Sequence, residues 1–325
     1  MGRAMSVRVL VAGAGAVGSV VGGLLAAAGH AVTLLGRAGH LEAVAARGLR
    51  LEGLWGEREI DALAVATSVA ELRGPFDAVL LTVKSYDTAA MVAATAPLVA
   101  GDGCMMTLQN GLGNVDHVVA SVGPERALGA RVIFGAAIPR PGVALVTVCA
   151  DPVAVGAAVA GASPAEARAR AWAERFAAAG VSAEYTATLQ AHLWTKVFYN
   201  AALNPLGALF GQPYGALAAD VDARAVMDAI IDEAFAVAAA RGVVPLVATA
   251  DAYRRLFYGR LVPSTADHRS SMLQDLERGR PTEIDAINGC IWRYGRDAGI
   301  PTPVNATMTR LVHWRERIVG KGAPA

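Results

Sequence analysis

The chain has 325 residues, 54% hydrophobic and 18% charged, with 29 basic against 28 acidic side chains and a formal net charge of +1. The charges are interspersed rather than blocked, which argues against a nucleic-acid partner and against an acidic tail. Cys104, Cys149 and Cys290 stand far apart and in odd number, so the expectation is a reducing, cytoplasmic setting without a disulfide framework; the six histidines form no metal-ligand pair, and no metal is expected.

Between Arg8 and Arg37 there is no Asp, Glu, Lys or Arg, a run long enough for a membrane span or a signal sequence. Glycines at 13, 15, 18, 22, 23 and 29 break that run, and a buried βαβ unit explains it better than a membrane segment. Its parts are a strand Val7–Ala12, a glycine turn, a helix to about Ala28 capped by Gly29, and a strand Ala31–Leu35. Met5 is an alternative start to Met1, since MGRA adds nothing to the pattern.

Gly13-Ala14-Gly15-Ala16-Val17-Gly18 fits the dinucleotide fingerprint in its proper context, after a strand and opening a helix. The first glycine permits the tight turn, the second lets backbone approach the pyrophosphate, and the third lets helix pack on strand. The helix N-terminus offers N–H donors to the phosphates. The second strand ends Leu34-Leu35-Gly36-Arg37, with no acid for a ribose 2′-hydroxyl. Arg37 either caps a loop or meets a 2′-phosphate; the latter favours NADP.

Short apolar runs at 78–83 and 104–108 read as parallel strands buried on both faces. Lys84, in TVKSYD, and Asn110, in LQNGLG, follow them at the carboxyl end of the sheet, where open α/β folds bind ligands. A snorkelling lysine and an Asn-Gly turn are the plain alternatives. Residues 126–158 read as hairpin or irregular β structure with a turn at Pro139–Gly142. Ser163 as N-cap, Pro164 and Glu166 then open a helix that Gly180 closes, and 181–185 reads as a last strand.

Beyond about 187 only helical periodicity remains, broken at Pro205, Gly211–Pro213, Gly242–Pro245, Pro263, Gly279–Pro281 and Gly299–Pro303. The expected fold is α/β, with an N-terminal Rossmann-type doubly wound sheet over 1–187 followed by an all-helical domain over 188–325. In HLWTKVFYNAALNPLGAL, residues 192–209, Lys196, Asn200 and Asn204 recur every four residues and share one helix face within roughly 80°. That row is either a solvent stripe or a polar face that needs partners, and Asn204 before Pro205 can mark a helix end or kink. In SSMLQDLERGRPTEIDAING, residues 270–289, Thr282 reads as an N-cap with Asp285 three residues on. Glu283 falls in that first turn, where it either meets the helix dipole or faces Lys196 across a cleft.

Taken together, GAGAVG, KSYD, LQNGLGN, LWTKVFYNAALNPL and SSMLQDLERGRPTEIDAING resemble, in order and spacing, the ketopantoate reductase (2-dehydropantoate 2-reductase) family over essentially the whole chain. The resemblance implies NADPH-dependent reduction of a small 2-oxo acid, 2-dehydropantoate, to pantoate on the route to pantothenate and coenzyme A, and it leaves room for a homodimer. By the same resemblance Lys196 is the proton donor, Asn200 and Asn204 are substrate-binding amides, Ser271 is a substrate contact, and Glu283 is a cleft acid near lysine and cofactor. Asn110 lies between cofactor and substrate, Lys84 is on the cofactor side, and Arg37 recognises the 2′-phosphate.

The residue types suit that chemistry independently. Hydride delivery to a ketone creates an alkoxide far more basic than an amine, so an ammonium within reach both stabilises the charge and gives up its proton. A carboxylate such as Glu283 helps keep a desolvated lysine charged. Two departures concern the substrate: Tyr214 stands in Pro213-Tyr214-Gly215 where many members have asparagine, and Arg131 where small or hydroxyl residues are frequent. A paralogue reducing another branched or bulkier 2-oxo acid is one alternative, and a nucleotide sensor without turnover is another.

Overall fold

The protein is described by a computed structural model covering residues 6–322, so the choice between Met1 and Met5 lies outside the described residues. The chain divides into two compact units. One holds the residues up to Gln109 together with Asn114–Leu189, and the other holds Asn110–Gly113 and the residues from Gln190 on. A single cut after residue 187 misses the short excursion at 110–113. That segment groups with the helices because Leu112 N–H donates to the Ala286 carbonyl at 2.7 Å.

The first unit opens with β1 (Arg8–Ala12), α1 (Ala16–Ala27), β2 (Ala31–Leu35), α2 (Ala38–Arg47), β3 (Leu49–Gly53), β4 (Arg58–Ile60), β5 (Leu63–Ala66) and β6 (Phe76–Leu81). It continues through α3 (Thr88–Thr95), β7 (Val99–Thr107), α4 (Asn114–Val122), β8 (Ala127–Arg131), β9 (Phe134–Arg140), β10 (Val143–Cys149), β11 (Val153–Ala157), α5 (Ser163–Ala178) and β12 (Ala183–Tyr185). The main sheet has eight strands in the order β12-β11-β8-β7-β6-β1-β2-β5. Only the β8–β11 pair in it is antiparallel. The crossover from β1 through α1 to β2 is the doubly wound Rossmann start that the glycine pattern requires.

A second sheet of four strands, β4-β3-β10-β9, was not anticipated from the sequence. It explains why α1 is apolar on all sides. A Cβ on Gly22 would come within 2.6 Å of Leu34 in the main sheet, while one on Gly23 would come within 2.8 Å of Leu49 and 3.1 Å of Ile60 in the second. The helix is thus covered on two sides, and Val20, Val21, Leu24 and Leu25 are buried with it.

Among its described residues the regular elements of the second unit are all helical, chiefly α6 (Leu189–Phe210), α7 (Tyr214–Ala219), α8 (Val221–Ala240), α9 (Ala250–Leu256), α10 (Ser271–Glu277), α11 (Asn288–Ala298) and α12 (Pro303–Gly322). Trp194, Phe198, Tyr253 and Phe257 form its buried aromatic centre, with Phe198 stacked on Phe235 at a centroid distance of 4.2 Å. No helix among the described residues is long and apolar enough to cross a membrane.

Three local expectations are corrected. Ser163 lies inside α5 rather than capping it: Ala162 is the N-cap residue, and Glu166 Oε1 accepts from Gly161 N–H at 3.1 Å. Thr282 does not open an α-helix. A short 3₁₀ turn, Ile284–Ala286, follows Glu283 as its cap residue, with Thr282 Oγ1 accepting from Ile284 N–H at 3.3 Å, so the helix-dipole account of Glu283 loses its helix. Finally, the helical span of α6 continues past Pro205 to Phe210, where a break was expected.

Candidate active site

In the first unit, the fingerprint glycines have different causes. Gly13 has φ +116°, and a Cβ there would lie 2.3 Å from Val83 N; a Cβ on Gly18 would lie 2.4 Å from the Gly13 carbonyl and 2.6 Å from Thr82 Oγ1. Both are demanded by packing. Gly15 differs: a Cβ there would have nothing nearer than the Gly13 carbonyl at 4.0 Å, so the protein itself gives no reason for its bareness.

The Leu35 carbonyl accepts from Gly13 N–H at 2.9 Å and Ala14 N–H at 2.7 Å, which clamps the loop to the end of β2. The helical ladder of α1 begins at Ser19 N–H, bonded to the Gly15 carbonyl at 2.9 Å. The amides of Ala16, Val17 and Gly18 thus precede the first rung at the positive end of the helix. Arg37 is exposed at the N-cap position of α2, directly beyond β2. Its neighbour Gly36 lies against Ala14, with an added Cβ only 2.9 Å from the Ala14 Cβ. Arg37 therefore follows a segment that touches the cradle, and its side chain makes no capping bond.

Lys84 is half-buried and heads a short 3₁₀ turn, Ser85–Asp87, after β6. Sequence reading overlooked the residue that fixes this loop. Gln109 Nε2 donates to the Val83 carbonyl at 2.8 Å and to Thr88 Oγ1 at 2.7 Å, Thr107 Oγ1 donates to Gln109 Oε1 at 2.9 Å, and Thr88 Oγ1 donates to Asn114 Oδ1 at 2.8 Å. The amide thus ties the loop bearing Lys84 to the end of β7. A glutamine between an apolar strand and an Asn-Gly pair was the available signal.

In the second unit, Lys196 Nζ donates to Asn110 Oδ1 at 2.5 Å. Asn110, Asn204, Ser271, Asp275 and Glu283, with Met272 and Ile287, line a pocket of about 10 Å³, room for roughly one water. Asn204 is 5% exposed and Glu283 is 9% exposed. Lys196 and Asn200 are half-buried, so the polar row on α6 is not an open solvent stripe. Asn200 lies one turn from each of its companions on α6.

Distant segments are held together here by backbone. Gly111, at φ +87°, presses on residue 286, an added Cβ lying 2.5 Å from the Ala286 carbonyl, and this contact delivers Asn110 to the pocket. Ser270 caps α10 by accepting from Leu273 N–H at 3.0 Å and donates to the Asn204 carbonyl at 3.3 Å, which brings Ser271 beside Asn204. Asp275 is the second buried carboxylate of the pocket and was not singled out in the sequence. It stands four residues after Ser271, on the same face of α10.

Residues 9–159 match the family described as "Ketopantoate reductase PanE/ApbA", and residues 188–316 match "Ketopantoate reductase PanE/ApbA C terminal". A 2-dehydropantoate 2-reductase of Aquifex aeolicus is 36% identical over 316 residues, 96% of this chain and 98% of that protein. The chain belongs to the ketopantoate reductase family. Among solved structures, a PanE/ApbA family ketopantoate reductase from Ralstonia eutropha matches with TM-score 0.84 and 34% identity, covering 96% of this chain and 99% of that one. D-mandelate dehydrogenase, solved with NADH and anilino(oxo)acetate, matches with TM-score 0.85 and 26% identity over the same shares. This ketopantoate reductase family member is accordingly an oxidoreductase of the nicotinamide-dependent class acting on a small molecule.

Both departures from the ketopantoate reductase pattern have partners. Tyr214 is buried and its hydroxyl donates to Asn204 Oδ1 at 2.6 Å. Burial, with Tyr199 nearby, raises the phenol well above its ordinary range, so it stays a donor. The Asn204 oxygen thus faces the phenol, which fixes which end of the amide is turned toward Tyr214. Arg131 is buried at the end of β8 and donates to Asp151 Oδ2 at 2.6 Å and to the Pro152 carbonyl at 3.1 Å, an ion pair inside the first unit.

Proposed function

We propose that this chain reduces 2-dehydropantoate to pantoate, with NADPH as hydride source and Lys196 as proton donor. The observation that carries the reading is the Lys196 ammonium bonded to Asn110 at 2.5 Å beside a pocket with Asn204, Ser271 and Glu283 in its walls. NADPH, when bound, supplies the hydride to the 2-oxo carbon. The chain's own residues do the rest. Lys196 Nζ–H donates to the ketone oxygen, and its proton passes to the alkoxide as that charge develops. Asn110 orients the ammonium beforehand, and the Glu283 carboxylate favours its charged form. Asn200, the NH₂ of Asn204 and the Ser271 hydroxyl offer neutral partners to the substrate's carboxylate and hydroxyl oxygens.

NADPH rather than NADH is supported by the absence of an acid at the end of β2 and by Arg37 beyond it. The cradle residues Gly13, Ala14, Gly15, Ala16, Val17 and Gly18 hold the phosphates in this reading, with Lys84 on the cofactor side. A reducing, cytoplasmic setting accords with three free cysteines, two of them buried.

A second reading, reduction of a bulkier 2-oxo acid, draws on the Tyr214–Asn204 bond and on the likeness to a dehydrogenase solved with an aryl 2-oxo acid analogue. Initial rates with NADPH against 2-dehydropantoate, phenylglyoxylate and branched 2-oxo acids separate the two. The expected result is the highest kcat/KM for 2-dehydropantoate. A value about tenfold higher for another acid retires the pantoate assignment while leaving the reductase chemistry intact.

A further inference from the structure

Proline at 205 ought to interrupt the lysine-bearing helix. It has no N–H for the Ala201 carbonyl four residues earlier, and its ring crowds that oxygen. Yet α6 continues, and the Ala201 carbonyl has a donor: Asn288 Nδ2, at the start of α11 and 87 positions along the chain, reaches it at 3.1 Å. Asn288 is wholly buried, and the same NH₂ group donates to Asn305 Oδ1 at 3.0 Å.

Glu233 of α8 sets the direction of this amide chain. Its carboxylate only accepts, taking Asn305 Nδ2 at 2.7 Å and the backbone N–H groups of Val304 and Asn305 at 2.8 and 2.9 Å at the start of α12. Asn305 must then turn its oxygen to Asn288, and Asn288 must offer nitrogen, both of whose hydrogens are used. The missing rung lies between the turn carrying Lys196 and Asn200 and the turn carrying Asn204.

We propose that Asn288 is a positioning residue for the reduction: its amide replaces the rung that Pro205 removes and fixes how Lys196 and Asn200 are presented relative to Asn204. The inference rests on the reading of Lys196 as proton donor. It follows because an ammonium and an amide that must serve one small substrate tolerate little relative movement; a misplacement of about 1 Å can cost about a hundredfold in rate.

The test is a double-mutant cycle with Asn288→Ala and Pro205→Ala, which restores an N–H at 205, with Lys196→Ala measured alongside. The 2-oxo acid giving the highest kcat/KM is the substrate. In the parent background Asn288→Ala is expected to lower kcat about tenfold and to shift the alkaline limb of the pH profile, with KM for NADPH unchanged; in the Pro205→Ala background the fall is less than about threefold. Folding of Asn288→Ala only in the Pro205→Ala background also supports the coupling. An equal fall in both backgrounds, an unchanged kcat, or failure to fold in both overturns it. Loss of activity in Lys196→Ala without coupling overturns this inference alone, whereas Lys196→Ala at the parental rate overturns the lysine reading and this inference with it.

Discussion

The glycine cradle of the first unit and the polar pocket of the second are built in opposite ways. The cradle comes from one stretch of six residues, Gly13–Gly18, and presents backbone: N–H groups at a helix start and a bare Cα at Gly15. The pocket comes from segments around 110, 204, 271 and 283, and works through side chains carried on α6, α10 and two turns. A backbone site is damaged by adding atoms, and a side-chain site by removing them. Substitutions that exploit this difference test each half separately.

The largest effect belongs to the side-chain site. Lys196→Ala should lower kcat by about a hundredfold or more, the usual scale for removing a positioned general acid, while NADPH affinity stays within about twofold. Glu283→Ala should lower kcat/KM as well, and the double variant should fall short of the product because the two act on one proton. Steady-state kinetics beside NADPH titration reads both. A folded Lys196→Ala protein that reduces the 2-oxo acid at the parental rate ends the proton-donor reading.

The cradle half answers to different changes. Arg37→Ala should weaken NADPH by about 1.5–3 kcal/mol, the scale of a charge-assisted contact, and leave NADH nearly untouched. Equal affinities for the two cofactors in the parent protein contradict the strand-end argument. Gly15→Ala should then fold normally, because its Cβ has open space, but bind NADPH about tenfold more weakly, the cost of overpacking a fitted ligand. Gly13→Ala should instead lower Tm, because its Cβ meets Val83 N at 2.3 Å and its φ is +116°. If the two variants behave alike, the division between packing glycine and ligand glycine is wrong.

The same contrast governs what could be read from the sequence. The βαβ unit was legible because its signals are local: apolar strand, glycine turn and small-residue helix lie within 30 residues. The second sheet was not, since β3 and β4 are short and carry charges, and β3 pairs in parallel with β10 some 93 residues later, Arg50 opposite Val143. Pro205 misled for a related reason. A proline is a break signal only when nothing answers the carbonyl it orphans, and the answering Asn288 is too distant for any window of periodicity to find. At the pocket, spacing put Lys196, Asn200 and Asn204 on one face, but no rule of spacing brings Asn110 to Lys196. That pairing depends on Gly111 closing on the Ala286 carbonyl; the resemblance had placed Asn110 only between cofactor and substrate, and the partner expected for Lys196 was Glu283.

The smallest effect concerns acid, and two of the histidines that carry it lie in the first unit. His40 Nδ1 accepts from Gly142 N–H at 3.1 Å, so Nε2 carries the hydrogen that reaches Ser19 Oγ at 3.0 Å on the cradle helix; His30 Nδ1 accepts from Val7 N–H at 3.4 Å. Both rings must be neutral to accept, and burial lowers both below the ordinary imidazole range, with Arg175 adding to the effect at His30. The unfolded chain takes up these protons near the ordinary value of about 6.5, while the folded chain refuses them until the pH is lower. In that window the unfolded state binds more protons, so stability rises with pH. The contribution is complete above about 6.5 and is lost as pH falls from there through the lowered folded values. Tm is therefore expected to be flat from about pH 7 to 8 and to decline toward pH 5, with His40→Asn, which keeps an acceptor for Gly142 but cannot titrate, showing the shallower decline. An equal decline in His40→Asn would assign the acid sensitivity to groups other than the ring that links α1 to Gly142, among them His30 and, in the second unit, His268, which burial also lowers.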